Sequence, residues 1–585
     1  MIFKRDSEKD VLKKVINPCV IGFSCYLWNW QYNLHFAKLL KQKYPSAIII
    51  FGGPQVPDND NNFFKKYPFV DFCISKEGEI PFKNLLEAMV QNEELHKVPG
   101  IKSSTQSTTA TINIRVKNLE EIPSPYTSGV FDQLISENPH IEWNAVLETN
   151  RGCPYACSFC DWGSLTYSKI FRISENRVFS DIDLFFKNKF GAIIIADANF
   201  GVFGERDERI LDHIIEKQRK YARPYMISLN WAKNQTDRVL QMSKKLSHAG
   251  LNNGLTLSMQ SMSPVVLENI HRKNMKLNKV NSILDSCSKD GLPNYTELIL
   301  GLPGETLESW KSGIIELLKL EQHSGIEIFF ALLLQNAELN KQREKYNIKS
   351  ANIFGYISGG SASEAIAESV DIIVETNTMS YENFLKALRF NWLILNFHGA
   401  GWTQVIARTF NKLNISEYSL FYSQLDKWIE NNPEAAWLKC LREDTLTDFE
   451  NWFEHGVLDA KKWHDSEIDG WNLMYKANID FYSKPKRFWQ TLNAFLSGFD
   501  LEGSFQTDLI KSQKGFMVNF GGNYPKTESF NYNFLEFIFQ KNDLVKNKYD
   551  YIFSSRESVE EFKDFADRLL FGRRRNFGQT QIKTM

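Results

Sequence analysis

The chain has 585 residues, 69 Lys and Arg against 70 Asp and Glu, a net charge of −1 and 43% hydrophobic residues. That balance offers no strong positive field for nucleic acid or an anionic membrane surface, and the apolar content suits packed cores rather than a disordered tail. No apolar run reaches the roughly 18–20 residues that span a bilayer, residues 1–10 (MIFKRDSEKD) lack an apolar signal core, and eight Cys are too sparse for a disulfide scaffold. The expectation is a large cytoplasmic protein of roughly three to four domains, without a nucleic-acid partner or a membrane span. The 14% aromatic content, with 44 Phe, 21 Tyr and 14 Trp, reads as heavily aromatic packing.

Residues 1–100 alternate strand-like and helix-like segments. Residues 20–24 form a short apolar run, 34–40 have a helical pattern, and 47–51 (AIIIF) read as a buried strand ending in Gly52-Gly53-Pro54. A short helix is predicted at 63–66, then a strand at 72–75 followed by Lys76-Glu77-Gly78-Glu79 and a helix over 81–90. Strand and helix in alternation predict an α/β domain with a parallel, Rossmann-like sheet. Residues 101–142 lose the rhythm and read as a linker: 103–111 are rich in Ser and Thr, and Ile122-Pro-Ser-Pro-Tyr126 is extended, because proline pushes its predecessor out of the helical region.

Over 143–340 the alternation resumes, with strands predicted at 145–149, 192–196, 225–230, 254–259, 294–300 and 326–333 and helices at 206–221, 237–248 and 307–320. These βα units predict a partial, six-stranded parallel barrel, whose chemistry belongs at the C-terminal ends of the strands. Residues 341–585 turn to helix-like segments rich in Trp, Phe and Leu, such as 381–397 and 416–431, and predict an α-rich domain that closes the barrel and shapes the substrate site. There Cys440 and His398 read as core residues, and Arg573-Arg574-Arg575 as a solvated basic tail.

The strongest chemical signal is Arg151-Gly-Cys153-Pro-Tyr-Ala-Cys157-Ser-Phe-Cys160, a C-x3-C-x2-C run directly after the first barrel strand. Three thiolates on one loop can hold three corners of a [4Fe–4S] cluster and leave the fourth iron open. A zinc site needs a fourth nearby ligand, yet the next Cys is Cys287 and no His lies between Cys160 and His213. A zinc-stabilised, non-catalytic scaffold is the competing reading.

The motif, with Phe159 just before its last Cys, resembles the radical S-adenosylmethionine (SAM) superfamily. The resemblance implies that Cys153, Cys157 and Cys160 bind the cluster, that SAM chelates the open iron, and that reductive cleavage of SAM yields a 5′-deoxyadenosyl radical. It also implies a low-potential electron donor such as flavodoxin or ferredoxin. Further positions match in order along the barrel. Asp197 and Asn199 follow the second strand, where the family binds the SAM amine. Ser258 and Gln260 end the fourth, where polar groups meet the ribose or carboxylate, and Glu297 and Gly301 lie on the fifth, with Gly301 expected to admit the adenine. His271-Arg272-Lys273 resembles a segment common in these barrels.

The ordered set Ser24, Gly52-Gly53-Pro54 and Glu77-Gly78, at the ends of successive N-terminal strands, resembles the cobalamin-binding domain fused to the barrel in one large subgroup of that superfamily. Ligands bind at the carboxyl ends of such strands. Two departures stand out. The Asp-x-His-x-x-Gly motif that ligates cobalt is absent, so the resemblance implies cobalamin held without a His ligand. The usual first strand would precede about residue 10, where only Met1–Arg5 is available, so the resemblance implies either a truncated sequence or a sheet one strand smaller. Together these imply a cobalamin-dependent methyltransferase acting on an unactivated carbon or phosphorus centre of a small-molecule or natural-product substrate. The alternative within the family is a cyclisation or rearrangement enzyme that uses cobalamin or has lost it.

Overall fold

The computed structural model describes every residue except 3, 61, 105–114, 163–168, 234–236, 253, 358–364, 459–472, 519, 521, 541, 556–580 and 585. Most of the Ser/Thr-rich stretch and the Arg573–Arg575 run lie outside the described residues. No helix among the described residues is long and apolar enough to cross a membrane.

The N-terminal elements are α1 (Glu8–Lys14), β1 (Val20–Ser24), α2 (Trp30–Lys43), β2 (Ile48–Gly52), α3 (Phe63–Lys66), β3 (Phe72–Ile74), α4 (Glu79–Gln91) and β4 (Ile101–Ser103). They build a sheet of order β1-β2-β3-β4 with the first three strands parallel and β4 antiparallel to β3. Ile49, Ile50 and Phe51 in β2 are all buried because helices cover both faces of the sheet. Ala37 of α2 packs on one face, and Leu85 and Ala88 of α4 on the other. β1 is an edge strand preceded by α1. The sheet extends through Ser103, into the stretch read as a linker.

The N-terminus of α2 is completed from far away in sequence. Asn29 at its N-cap makes no side-chain cap. Instead the buried Glu368 carboxylate accepts from the backbone N–H of Gln31 (2.8 Å) and Tyr32 (3.0 Å) and pairs with Arg5 at 3.1 Å. A carboxylate there satisfies orphan donors and complements the helix dipole. Glu368→Ala is expected to destabilise the protein by about 2 kcal/mol and to speed hydrogen exchange at the Gln31 and Tyr32 amides. Wild-type protection in the variant would contradict this cap.

After α5 (Asp132–Glu137), two three-stranded parallel sheets carry the barrel: β5 (Ala145–Leu147), β8 (Ala192–Ile195) and β9 (Met226–Ser228), then β10 (Leu255–Gln260), β11 (Asn294–Leu300) and β12 (Ile326–Phe330). All six lie at the predicted positions. A short antiparallel pair, β6 (Asn150–Arg151) and β7 (Phe171–Arg172), brackets the cysteine loop. Outside run α6 (Glu175–Lys187), α7 (Glu205–Tyr221), α8 (Asp237–His248), α9 (Pro264–Asn269), α10 (Leu277–Lys289) and α11 (Leu307–Lys319). Each long helix turns an apolar stripe inward, as Ile210, Leu211, Ile214 and Ile215 do in α7.

The sheet does not stop near residue 340. After α12 (Glu338–Lys341), β13 (Lys349–Phe354) and β14 (Ser369–Glu375) form an antiparallel hairpin. β14 pairs with the chain beyond β12 through Leu333 N–H to Asp371 O (2.9 Å) and Ile373 N–H to Ala331 O (2.8 Å).

The rest is α-rich, as expected: α13 (Tyr381–Ile394), α14 (Gln404–Lys412), α15 (Tyr418–Asn431), α16 (Ala436–His455), α17 (Tyr475–Ser483), α18 (Pro485–Leu496) and α19 (Gly503–Phe516). A small antiparallel sheet of β15 (Lys526–Tyr532), β16 (Lys546–Ser554) and β17 (Gln581–Thr584), with α20 (Phe534–Phe539) after β15, was not anticipated. The aromatic excess becomes core. Trp402, fully buried, has Phe481, Tyr482 and Phe488 ring centroids within 5.2, 4.8 and 4.7 Å. Trp310 of α11 donates to Asn391 of α13 at 2.8 Å and joins this domain to the barrel. His398 is buried as expected, whereas Cys440 is exposed. The buried stripe of α16 runs through Leu438, Arg442, Thr445, Phe449 and Trp452, and position 440 falls off it.

Candidate functional site

Cys153, Cys157 and Cys160 lie on the loop after β6, and none is in a disulfide. The loop is stapled by its backbone: Ser158 N–H donates to Ile270 O (3.0 Å), Leu339 N–H donates to Ser158 O (2.7 Å), and Cys160 N–H donates to Cys157 O (3.1 Å). Phe159 packs against the cluster of Val266, Ile270, Leu302 and Leu339, which holds the cysteines from behind. Gly152 must be glycine. Its φ is +128°, and a Cβ would stand 2.5 Å from Lys169 O.

The sulfurs are met by donors. Asn199 Nδ2 lies 3.3 Å from Cys153 Sγ, Lys233 Nζ 3.8 Å from Cys157 Sγ, and Arg272 Nη1 4.0 Å from Cys157 Sγ. Burial pushes the Cys160 thiol upward, while the Trp162 backbone and the Lys233 ammonium oppose the shift. Three unpaired thiols on one loop, facing amide and cationic donors, fit a [4Fe–4S] cluster, whose ligand and sulfide sulfurs accept such bonds. No group of three His, Cys, Asp or Glu among the described residues is gathered closely enough for a single metal ion.

Behind the loop sits a buried polar post. Asp197, expected at the SAM amine, is fully buried, and its oxygens accept from Thr149 N–H (2.8 Å), Thr149 Oγ1 (2.5 Å), Asn150 N–H (3.1 Å) and Asn150 Nδ2 (2.6 Å). Burial pushes its pKa up to about 7 against those hydrogen bonds. The structure makes Asp197 a support for the two residues that lead into the cysteine loop. Arg206 joins it, donating to Thr149 O (2.7 Å) and Ile173 O (2.8 Å) and pairing with Asp207 at 2.8 Å.

At the ends of the next strands, Ser258 Oγ donates to Glu297 Oε2 at 2.6 Å, the two residues being register partners on β10 and β11. Trp231, Lys233, Thr256, Ser258, Arg272 and Asn274 line a cleft there. Gln260 ends β10 at φ +66° beside a register shift. Gly301 has φ +101°, and a Cβ would stand 2.6 Å from Ile373 O. The backbone that demands glycine is thus the β14 strand of this chain, where the sequence suggested an adenine.

The N-terminal strand ends dock onto this mouth. Ser24 O accepts from Asn29 Nδ2 (2.9 Å) and Asn33 Nδ2 (3.0 Å). Gly52 O accepts from Cys25 N–H (2.6 Å), and Gly53, at φ +107°, leaves a Cβ only 2.6 Å from Cys25 O. Asn336, beyond β12, donates to Pro54 O and Val56 O (2.8 Å each) and accepts from Asp58 N–H at 2.8 Å. Glu77 accepts from Val116 N–H (2.9 Å) and pairs with Arg115 (3.3 Å) and Arg151 (3.4 Å). Arg151, two residues before Cys153, also pairs with Glu79 and Glu148, each at 2.8 Å. A Cβ on Gly78 would meet only Ile74 Cγ2 at 3.6 Å, an ordinary contact.

The structure therefore carries Cys153, Cys157 and Cys160 on one loop, with Asn199 against Cys153 and the Ser258–Glu297 pair beside the adjoining cleft. Asp197 and Gly301 serve the scaffold, and Glu77 bridges domains. Sequence reasoning missed Arg151, Lys233 and Asn336. Only Arg151 had a signal, its place immediately before the motif.

Comparison with known proteins agrees with this geometry. The radical SAM superfamily pattern matches residues 147–312, which span the cysteine loop and the strands from β5 to β11. The chain carries a radical SAM domain. Around that domain the chain is 34% identical over 430 residues to the cobalamin-dependent radical SAM methyltransferase TokK of Streptomyces tokunonensis, covering 72% of this chain and 63% of that protein. It is 32% identical over 442 residues to the 2-(S-pantetheinyl)-carbapenam-3-carboxylate methyltransferase of Streptantibioticus cattleyicolor, covering 74% of this chain and 65% of that protein. The chain thus spans just under two thirds of the length of each relative. Among solved structures, the radical SAM methyltransferase TsrM from Kitasatospora setae aligns at 12% identity with a TM-score of 0.48, over 66% of this chain and 81% of that one.

Proposed function

We propose that this protein is a cobalamin-dependent radical SAM methyltransferase acting on a small, natural-product-like molecule. The observation that carries the reading is the docking of the N-terminal strand ends on the barrel mouth: Asn336 holds the loop after β2, and Arg151 ties Glu77 and Glu79 to the cysteine loop. When bound, the [4Fe–4S] cluster, SAM and cobalamin would supply a 5′-deoxyadenosyl radical and a transferable methyl group.

The chain's own residues set the geometry. Cys153, Cys157 and Cys160 would hold the cluster, and three ligands would leave one iron available to SAM. Ser258, Gln260, Glu297 and Asn199 flank the space beside it, with the Ser258–Glu297 pair orienting both side chains. Ser24, Gly52, Gly53, Pro54 and Gly78 would frame the N-terminal cofactor site, and Glu77 ties that region to the cysteine loop through Arg151. The printed names of the two relatives, both methyltransferases and one acting on a carbapenam carboxylate, support a small-molecule substrate. Electrons come from a low-potential donor such as flavodoxin or ferredoxin. All eight cysteines are unpaired, which suits the reducing cytoplasm.

The test is anaerobic reconstitution with iron, sulfide and hydroxocobalamin, followed by desalting. About four Fe per chain and cobalamin retained in the absorption spectrum are expected. Loss of cobalamin with iron retained overturns the N-terminal assignment, whereas one zinc and no iron overturns the enzyme. With methyl-labelled SAM, label in the product separates methyl transfer from a cyclisation or rearrangement.

A further inference from the structure

The two cations that meet Cys157 come from separate elements of the barrel. Lys233 follows β9, and its ammonium sits 3.8 Å from Cys157 Sγ and 4.9 Å from the centre of the Tyr155 ring. Arg272 follows α9 and is buried, with Nη1 4.0 Å from the same sulfur. Its other nitrogens donate to Ser258 O and, at 2.9 Å, to Asn274 Oδ1. Asn274 in turn donates to Met259 O (2.8 Å) and Ser261 O (2.9 Å), so the guanidinium is locked against the end of β10. Cys153 receives only the neutral amide of Asn199, at 3.3 Å. Both cations thus meet the Cys157 sulfur, and the Lys233 charge also reaches Cys160.

We infer that Lys233 and Arg272 are positioning residues that set the reduction potential of the cluster through the Cys157 sulfur. The inference rests on the cluster assignment made above. Reduction brings one electron from an external low-potential donor and adds one negative charge to the cluster. A cation about 4 Å from a ligand sulfur in a buried site favours that extra charge, because Coulomb interactions strengthen as the local dielectric falls. Hydrogen bonds to the sulfurs act in the same direction. Both effects make the cluster easier to reduce, and Lys233 adds its charge without ligating iron.

The experiment is a dithionite redox titration of the reconstituted full-length protein without SAM, followed by electron paramagnetic resonance, with iron and sulfide measured on each sample. Lys233→Met is expected to keep wild-type iron and to show a midpoint more negative than wild type, and Lys233→Arg to restore the wild-type midpoint. A midpoint unmoved in Lys233→Met at full iron content overturns the proposal. If Lys233→Met takes up no iron, Lys233→Gln is read in its place. Loss of iron in both neutral variants, with retention in Lys233→Arg, replaces the proposal with a role in cluster loading. A wild-type protein that holds no iron overturns the cluster reading instead.

Discussion

Alanine in place of Cys153, Cys157 and Cys160 together is expected to abolish iron uptake and 5′-deoxyadenosine formation while leaving the fold intact. The chemistry needs thiolate ligands, and no other Cys or His lies nearby in the sequence to replace them: the next Cys is Cys287 and the next His is His213. The fold survives because the loop is held by groups other than the sulfurs. Ser158 is bonded on both sides of its backbone, Phe159 packs in its own apolar cluster, and Arg151 is clamped by three carboxylates. The far-ultraviolet circular dichroism of the triple variant should match wild type, and iron analysis should read background. Deoxyadenosine formed by that variant at the wild-type rate would refute the assignment of the cysteines.

Acid lability is the second large effect, and it arises where the barrel meets the C-terminal domain. His323 Nδ1 lies 2.9 Å from His398 Nε2, and His398 Nδ1 lies 2.7 Å from Tyr422 Oη, all buried. The chain of bonds is satisfied with both rings neutral: Tyr422 O–H donates to His398, His398 Nε2–H donates to His323, and His323 Nε2–H faces Glu321 at 3.5 Å. Charging both rings would set N–H against N–H across their shared contact. Burial and the Arg408 charge push His323 from its ordinary value of 6.5 down to about 4, and burial holds His398 well below the usual range.

The unfolded chain therefore binds protons on these residues near pH 6.5, before the folded one does. Stability from this pair is complete above that pH and is lost as pH falls toward 4. His323 alone contributes a loss of about 3 kcal/mol across that window. Thermal unfolding between pH 7 and 4 should show a steep fall in Tm that is shallower in His323→Gln and His398→Asn. Equal steepness in the double variant would rule the pair out as its source.

The legible parts of this protein are local. The three cysteines of the motif fall within one loop, so their spacing could be read directly. The six barrel strands announce themselves as short apolar runs between amphipathic helices. The β13–β14 hairpin went unread because its partner is the tail of β12, and that pairing explains Gly301 where ligand analogy misled. Asp197 and Glu77 were recognised as strand-end acids, but their partners, Thr149 and Asn150 for one and Arg115 and Arg151 for the other, are set by how the loops fold back.

What the amino-acid sequence by itself determined is the cysteine motif, the succession of strands and the glycine-marked ends of the N-terminal sheet, because each depends on neighbours along the chain. Only the tertiary structure decided which side chains face the sulfurs, which acids are consumed by the scaffold, and that Asn336 and Arg151 lock the two halves of the site together. Those contacts join residues up to hundreds of positions apart, where burial, charge and packing select the partner and local spacing carries no trace of it.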